Sequence, residues 1–290
     1  MNEGKKIRFI DLFSGIGGFR LGFERAGGFH CVWSCDNNKW ANKIYIKRFK
    51  PNRGEHFTAD IEKMDEKQIP DHEILTGGFP CQPFSYAGKK MGFEDTRGTL
   101  FFEIIKIARA KKPILLLLEN VFGLLSHDRG KTFNTILETL DELGYDAEWQ
   151  VFDSRGWLPQ RRRRIFIMGH LRERPTPFIF PIIETDEGYS QVDEKAPYVS
   201  TLTKSYSVSS YGVARTYIIY DKPRFEGKGI MRALTPLECE RIQGFPDGWT
   251  SGIPRDRRYE LLGNAVTVNV IEFLGKQIID KIFSLDESNP

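Results

Sequence analysis

Two hydrophobic patterns alternate along this chain: short apolar runs, and stretches with the 3.6-residue spacing of a helix facing a core. Ile7-Arg8-Phe9-Ile10-Asp11-Leu12-Phe13 reads as a strand followed by a glycine turn, Ser14-Gly15-Ile16-Gly17-Gly18-Phe19. Residues 20–26 have helical spacing, with Leu21 and Phe23 among the apolar positions, and Gly27-Gly28 stops them. The next strand, 31–35, ends at Asp36; residues 56–59 lead to Asp60-Ile61; residues 73–76 end a strand before Gly77-Gly78. A helix is predicted from Thr99 to about Lys111. Pro113-Ile114-Leu115-Leu116-Leu117-Leu118 is wholly apolar and too short for a membrane span, so it reads as a buried parallel strand delivering Glu119-Asn120-Val121. Residues 132–143 form an amphipathic helix stopped by Gly144, and strands follow at 147–152 and 165–169.

Beyond Leu171 the pattern changes. Pro175, Pro177, Pro181, Glu184, Asp186 and Glu187 leave little helical periodicity, and Ser, Thr and Tyr crowd residues 197–212. Thr235, Pro236 and Glu238 then sit at N-cap, N1 and N3 of a capped helix. Residues 263–269 open a last helix reaching about Phe283. At 290 residues, 40% apolar and 28% charged, the chain suits a soluble globular enzyme of one or two domains. A net charge of +3 means that any nucleic-acid surface must be local. Cys31, Cys35, Cys81 and Cys239 lack the spacing of a zinc site or disulfide framework, so no metal and a reducing compartment are expected. No signal peptide or membrane span is expected.

The chemistry gathers at predicted strand ends, the edge where open α/β sheets keep their ligands. In Gly77-Gly78-Phe79-Pro80-Cys81-Gln82-Pro83, two prolines hold Cys81 on a stiff turn, which favours a nucleophile over a buried structural cysteine. The glycine-rich, aperiodic residues 86–98 beside it read as a loop that closes over substrate. Strand, glycine turn and helix at 7–26 form a nucleotide-cradling unit. Asp36 then suits ribose hydroxyls, or a helix N-cap; Asp60 suits an adenine amino group, or a turn cap. Glu119 is placed as a proton donor, or a cap. In Gln160-Arg161-Arg162-Arg163-Arg164, strand alternation puts Arg162 and Arg164 on one side. Thr201, Lys204 and Tyr206 lie in a stretch suited to phosphates and base edges, or simply to a surface loop.

Phe13-x-Gly15-x-Gly17, Asp36, Asp60-Ile61, Pro80-Cys81-Gln82, Glu119-Asn120-Val121, Gln160-x-Arg162-x-Arg164, Arg232-x-Leu234-Thr235-Pro236-x-Glu238 and Gly263-Asn264-x-Val266 occur in one order. That order resembles the DNA (cytosine-5)-methyltransferases over nearly the whole chain except about 172–229. The resemblance implies an α/β fold with a mostly parallel, Rossmann-like sheet and helices on both faces. It implies a catalytic domain of residues 1–175, completed by 255–290, and a small target-recognition domain at 176–254. By resemblance, S-adenosylmethionine is the methyl donor, held by Phe13, Gly15, Gly17, Phe19, Leu21, Asp36, Asp60, Ile61, Pro80, Leu100, Asn264 and Val266. Cys81 would add to C6 of a flipped-out cytosine while Glu119 holds the N3 edge and Arg164 the O2. Arg162 would support the nucleotide backbone or the loop; Gln82 and Ser85 would hold the loop on DNA. Thr201, Lys204 and Tyr206 fall in the segment assigned to target recognition. The implied partner is double-stranded DNA, with a monomeric, cytoplasmic, bacterial or phage-encoded enzyme and no obligate protein partner. The family usually has Glu where this chain has Asp36, and its basic run is less basic, leaving Arg161 and Arg163 without roles.

Three other readings compete. An RNA-acting branch keeps the same motifs, but its Cys-Phe-Thr tripeptide is absent here. A nicotinamide oxidoreductase rests on the glycine turn alone. A catalytically dead DNA-binding relative conflicts with the intact Cys81, Glu119 and Arg164.

Overall fold

The leucine run becomes an interior strand of a seven-stranded sheet. The computed structural model describes residues 6–80, 100–182, 202, 217–219 and 231–284. Its elements begin with β1 (Ile7–Leu12), α1 (Gly18–Ala26), β2 (Phe29–Cys35), α2 (Lys39–Phe49), β3 (His56–Phe57) and β4 (Ile74–Gly78). They continue with α3 (Leu100–Lys111), β5 (Leu115–Val121), α4 (Lys131–Glu142), β6 (Tyr145–Asp153) and β7 (Arg163–Leu171). The short strands β8 (Tyr217–Ile219) and β9 (Met231–Ala233) pair with each other, and α5 (Pro236–Ile242), α6 (Arg255–Asn264) and α7 (Val268–Ile278) follow. Strand order is β3-β2-β1-β4-β5-β7-β6, with β7 antiparallel to both neighbours and the other pairings parallel.

The order reverses between β1 and β4. A crevice opens there, outside the carboxyl ends of the two strands. The glycine turn leaves one strand and Phe79-Pro80 the other, so the fold places both at the switch point.

Burial follows the pleat. On β5, Leu115 and Leu117 face the core under α1 and α7, while Leu116 and Leu118 face that under α3 and α4. Each such leucine contributes about 2 kcal/mol by leaving water. Helices α1 and α7 approach closely through small residues: a Cβ on Gly22 would lie 2.5 Å from Ile271, and one on Gly275 2.8 Å from Ala26. The predicted cap of α5 forms, with Thr235 Oγ1 accepting from the Glu238 amide at 3.3 Å and Glu238 Oε2 from the Thr235 amide at 2.7 Å.

Two details depart from the sequence reading. Gly263 and Asn264 end α6, a helix hidden by its charged start, rather than opening the last helix. Residues 234–254 pack on the large body: Trp249 donates its indole N–H to the Ile16 carbonyl at 2.9 Å, and Arg48 Nε donates to the Trp249 carbonyl at 2.7 Å. This stretch therefore lies with α2 and the glycine turn, although the sequence reading grouped it with the small domain.

Candidate active site

At the carboxyl end of β1 the chain turns sharply, with Phe13 at φ 54°, Gly15 at 54° and Gly17 at 84°. The left-handed region disfavours Phe13 and suits the glycines. A side chain on Gly17 would also collide with the Phe49 ring, and one on Gly18 would lie 2.6 Å from Val266. Among the described residues, a Cβ on Gly15 would meet only the Phe13 carbonyl, at 3.9 Å, so they leave the turn open above it.

Asp36 pins this turn. Its Oδ2 accepts from the Gly15 amide at 2.8 Å and its Oδ1 from the Asn38 amide at 2.7 Å. Burial pushes the Asp36 carboxyl up, and those two N–H groups pull it back. It does not cap α2; Asn38 does, accepting from Trp40 at 2.9 Å and Ala41 at 3.2 Å. Behind Asp36, Asn42 Nδ2 donates to its carbonyl at 3.0 Å, and Asn42 Oδ1 lies 2.8 Å from His56 Nε2. The donor on Asn42 is thus committed to Asp36, so His56 Nε2 carries the proton. Burial holds the His56 imidazole down at about 4, which keeps it neutral.

Asp60 caps the short turn Ile61–Lys63, accepting from Glu62 at 3.3 Å, and Ile61 is buried. Phe19 is buried near Gly78; Leu21 and Leu100 are half-buried; Pro80 and Asn264 are exposed; Val266 is buried against Gly18. Under the turn lies a feature the sequence reading missed. Asp11 is fully buried, and neither its carboxylate oxygens nor the buried Ser14 hydroxyl makes a hydrogen bond among the described residues. Burial pushes the Asp11 carboxyl up to about 8, with Arg20 opposing and Asp36 adding to the rise. An open glycine cradle, a pinned carboxylate and polar groups left unmatched beneath them suit a polar nucleoside such as S-adenosylmethionine.

The second half of the crevice is built by β4, β5 and β7. Gly78 pairs with Glu119 across the sheet, and Val121 with Arg164. Glu119 and Arg164 therefore lie diagonally on one face, and Arg164 Nε meets Glu119 Oε1 at 2.9 Å. A Cβ on Gly78 would sit 3.3 Å from Glu119 Oε2, so this glycine leaves room for the carboxylate. Asn120 Nδ2 donates to the Phe79 carbonyl at 3.0 Å and fixes the backbone just before Pro80. Cys81, Gln82, Ser85, Thr201, Lys204 and Tyr206 lie outside the described residues.

Arg162 goes elsewhere. It is 1% exposed, and its guanidinium donates to the carbonyls of Leu202 at 2.9 Å, Gly263 at 3.0 Å and Ala265 at 2.8 Å. Strand β7 begins only at Arg163, so the alternation that paired Arg162 with Arg164 does not extend to it. Beside it, the buried Gln160 donates to the Ile242 carbonyl at 2.7 Å, and Gln243 to that of Leu262 at 2.7 Å. These groups tie the approach to β7 to α5 and α6 rather than touching the crevice. No cluster of three potential metal ligands occurs among the described residues.

Similarity to known proteins agrees with this architecture. A model of the C-5 cytosine-specific DNA methylase family matches residues 7–205 and 181–280. Type II methyltransferase M.SsoII of Shigella sonnei is 38% identical, over 98% of this chain and 83% of its own. Type II methyltransferase M.HhaI of Haemophilus parahaemolyticus is 34% identical, over 94% of each chain. The fold matches a DNMT2 crystal structure from Spodoptera frugiperda with a TM-score of 0.74, at 22% identity, covering 94% of this chain and 100% of that one. The chain belongs to the C-5 cytosine-specific DNA methylase family and is a DNA cytosine-5 methyltransferase that uses S-adenosylmethionine.

Proposed function

We propose that the crevice at the β1/β4 switch point joins a cofactor half to a base half, with Cys81 as the nucleophile. The observation that carries this reading is the Glu119–Arg164 pair, 2.9 Å apart, with Glu119 in register with Gly78, which precedes Cys81 by three residues in the chain. Phe13, Gly15, Gly17, Phe19, Leu21, Asp36, Asp60, Ile61, Pro80, Leu100, Asn264 and Val266 hold the cofactor, which supplies an electrophilic methyl group when bound. Cytosine C5 is too weak a nucleophile to take that methyl unaided. The Cys81 thiolate adds to C6, and after methylation a base takes the C5 proton and the thiolate leaves, so this covalent route divides one hard reaction into easier ones. Glu119 donates a proton to N3 as the thiolate attacks, and Arg164 holds O2 while orienting Glu119. The base must leave the helix, because C6 is unreachable within the stack.

Arg162 acts as a positioning residue that keeps β7 and the C-terminal helices in register. Gln82 and Ser85 hold the loop on DNA, and target recognition falls between residues 183 and 233, including Thr201, Lys204 and Tyr206. The relatives' names support a role beside a type II restriction system; we read the enzyme as a cytoplasmic monomer acting on double-stranded DNA. No helix among the described residues is long and apolar enough to cross a membrane.

The test is to incubate the protein and its Cys81→Ala variant with S-adenosylmethionine and unmethylated genomic DNA, then map 5-methylcytosine by bisulfite sequencing. Modification at one short sequence by the wild type, with none by the variant although it still binds cofactor, is the expected result. Methyl transfer by Cys81→Ala would overturn the covalent mechanism.

A further inference from the structure

Arg163 is exposed at the start of β7, and the site described above gives it no task. Asp153 stands directly opposite on β6. That carboxylate is already committed, accepting from the Arg155 amide at 3.2 Å, the Arg155 guanidinium at 3.1 Å and the Arg162 amide at 3.1 Å. Glu119, on β5, is taken by Arg164. The Arg163 guanidinium lies instead over the ring of Phe122, 3.9 Å from its centroid. Phe122 follows β5 directly and is 39% exposed, with Val121 beside it at 42%.

An aromatic face attracts a cation through its quadrupole but cancels none of its charge. It also holds the planar fork in one orientation with its N–H donors outward. A full positive charge is thus preorganised, without a carboxylate partner among the described residues, at the strand end that carries Arg164. Side chains of Arg163 and Arg164 leave opposite faces of β7, from Cα atoms about 3.8 Å apart. Both residues lie at the open start of β7, so the backbone of a cytosine resting on Glu119 and Arg164 would have to cross this rim to reach Arg163.

We propose that Arg163, braced on Phe122, binds a backbone phosphate of the DNA strand that carries the target cytosine. Lys would keep the charge there but lose the planar stacking. The proposal rests on the placement of the base at Glu119 and Arg164.

The experiment measures affinity for a duplex containing the mapped target, between 50 and 200 mM salt, for wild type, Arg163→Gln, Arg163→Lys and Phe122→Leu. Neutralising one phosphate contributes about 0.9 to the slope of log affinity against log salt. Arg163→Gln should lower that slope by about 0.9 and weaken binding several-fold. Arg163→Lys should keep the slope, and Phe122→Leu should keep it with a smaller loss of affinity. Calorimetric affinity for S-adenosylhomocysteine should match wild type in all three, showing an intact cofactor half. An unchanged slope in Arg163→Gln overturns the proposal, as does an equal loss of slope in Arg163→Lys. Turnover within tenfold of wild type in Glu119→Gln would instead count against the base placement, whatever the Arg163 variants show.

Discussion

Asp11 and Glu119 are both buried carboxylates on one sheet, on β1 and β5, with only β4 between those strands. Glu119 has the Arg164 guanidinium at 2.9 Å, whereas Asp11 makes no hydrogen bond among the described residues. A buried carboxylate whose surroundings do not offset its desolvation gains by taking a proton, as the rise of Asp11 to about 8 against the pull of Arg20 reflects. A paired one is held in orientation by its counter-charge. The difference separates a carboxylate left to take up a proton beneath the glycine turn from one whose orientation a guanidinium fixes.

Three experiments can break or sharpen this contrast. The largest effect is expected from Glu119→Gln, which keeps the shape but removes the acid and the Arg164 counter-charge. Single-turnover methyl transfer should fall by about 10²–10³ with cofactor affinity nearly unchanged. A loss below tenfold would detach the ion pair from the chemistry.

Next comes pH. Asp11 binds its proton more tightly in the folded protein, because its pKa is raised to about 8 from an ordinary 3.8. Its contribution to stability is therefore full below about pH 4 and is lost as pH climbs towards 8. Denaturant unfolding of the wild type should show a decline of about 4 kcal/mol between pH 5 and 8. Asp11→Asn should flatten that decline. An equally steep profile in the variant would assign the titration to another group.

The smallest effect concerns Gly78→Ala, whose new methyl would press on Glu119 Oε2 from 3.3 Å. A displacement of a few tenths of an ångström should slow turnover about tenfold, worth about 1.4 kcal/mol of barrier. Melting temperature should move by only a few degrees. If turnover instead stays at the wild-type rate, Glu119 has more freedom than its pairing suggests.

Much of this edge was legible in the sequence because strand ends announce themselves locally. The leucine run could only be a doubly buried strand, so Glu119 had to emerge from it, and the glycines marked the β1 turn. What escaped depended on partners far along the chain. Arg162 reads like Arg164 in the basic run, yet its carbonyls belong to Leu202, Gly263 and Ala265. Asn38 took the cap expected of Asp36, two residues earlier, because Asp36 turned back to Gly15. Gly78 looked like part of the cysteine turn, and only its neighbour on β5 shows why it has no side chain. Asp11 was hidden within an ordinary strand pattern, with no local sign of what would cover it.

The small-residue seam between α1 and α7 has a further consequence, for the order in which the protein is made. Gly22 faces Ile271, and Gly18 faces Val266, so the helix behind the glycine turn is completed by residues synthesised long after it. While the ribosome elongates the intervening chain, the back of α1 remains uncovered and the glycine turn lacks its support. Methylating capacity should therefore appear late in translation, after α7 has emerged and docked, which keeps unfinished enzyme from modifying DNA.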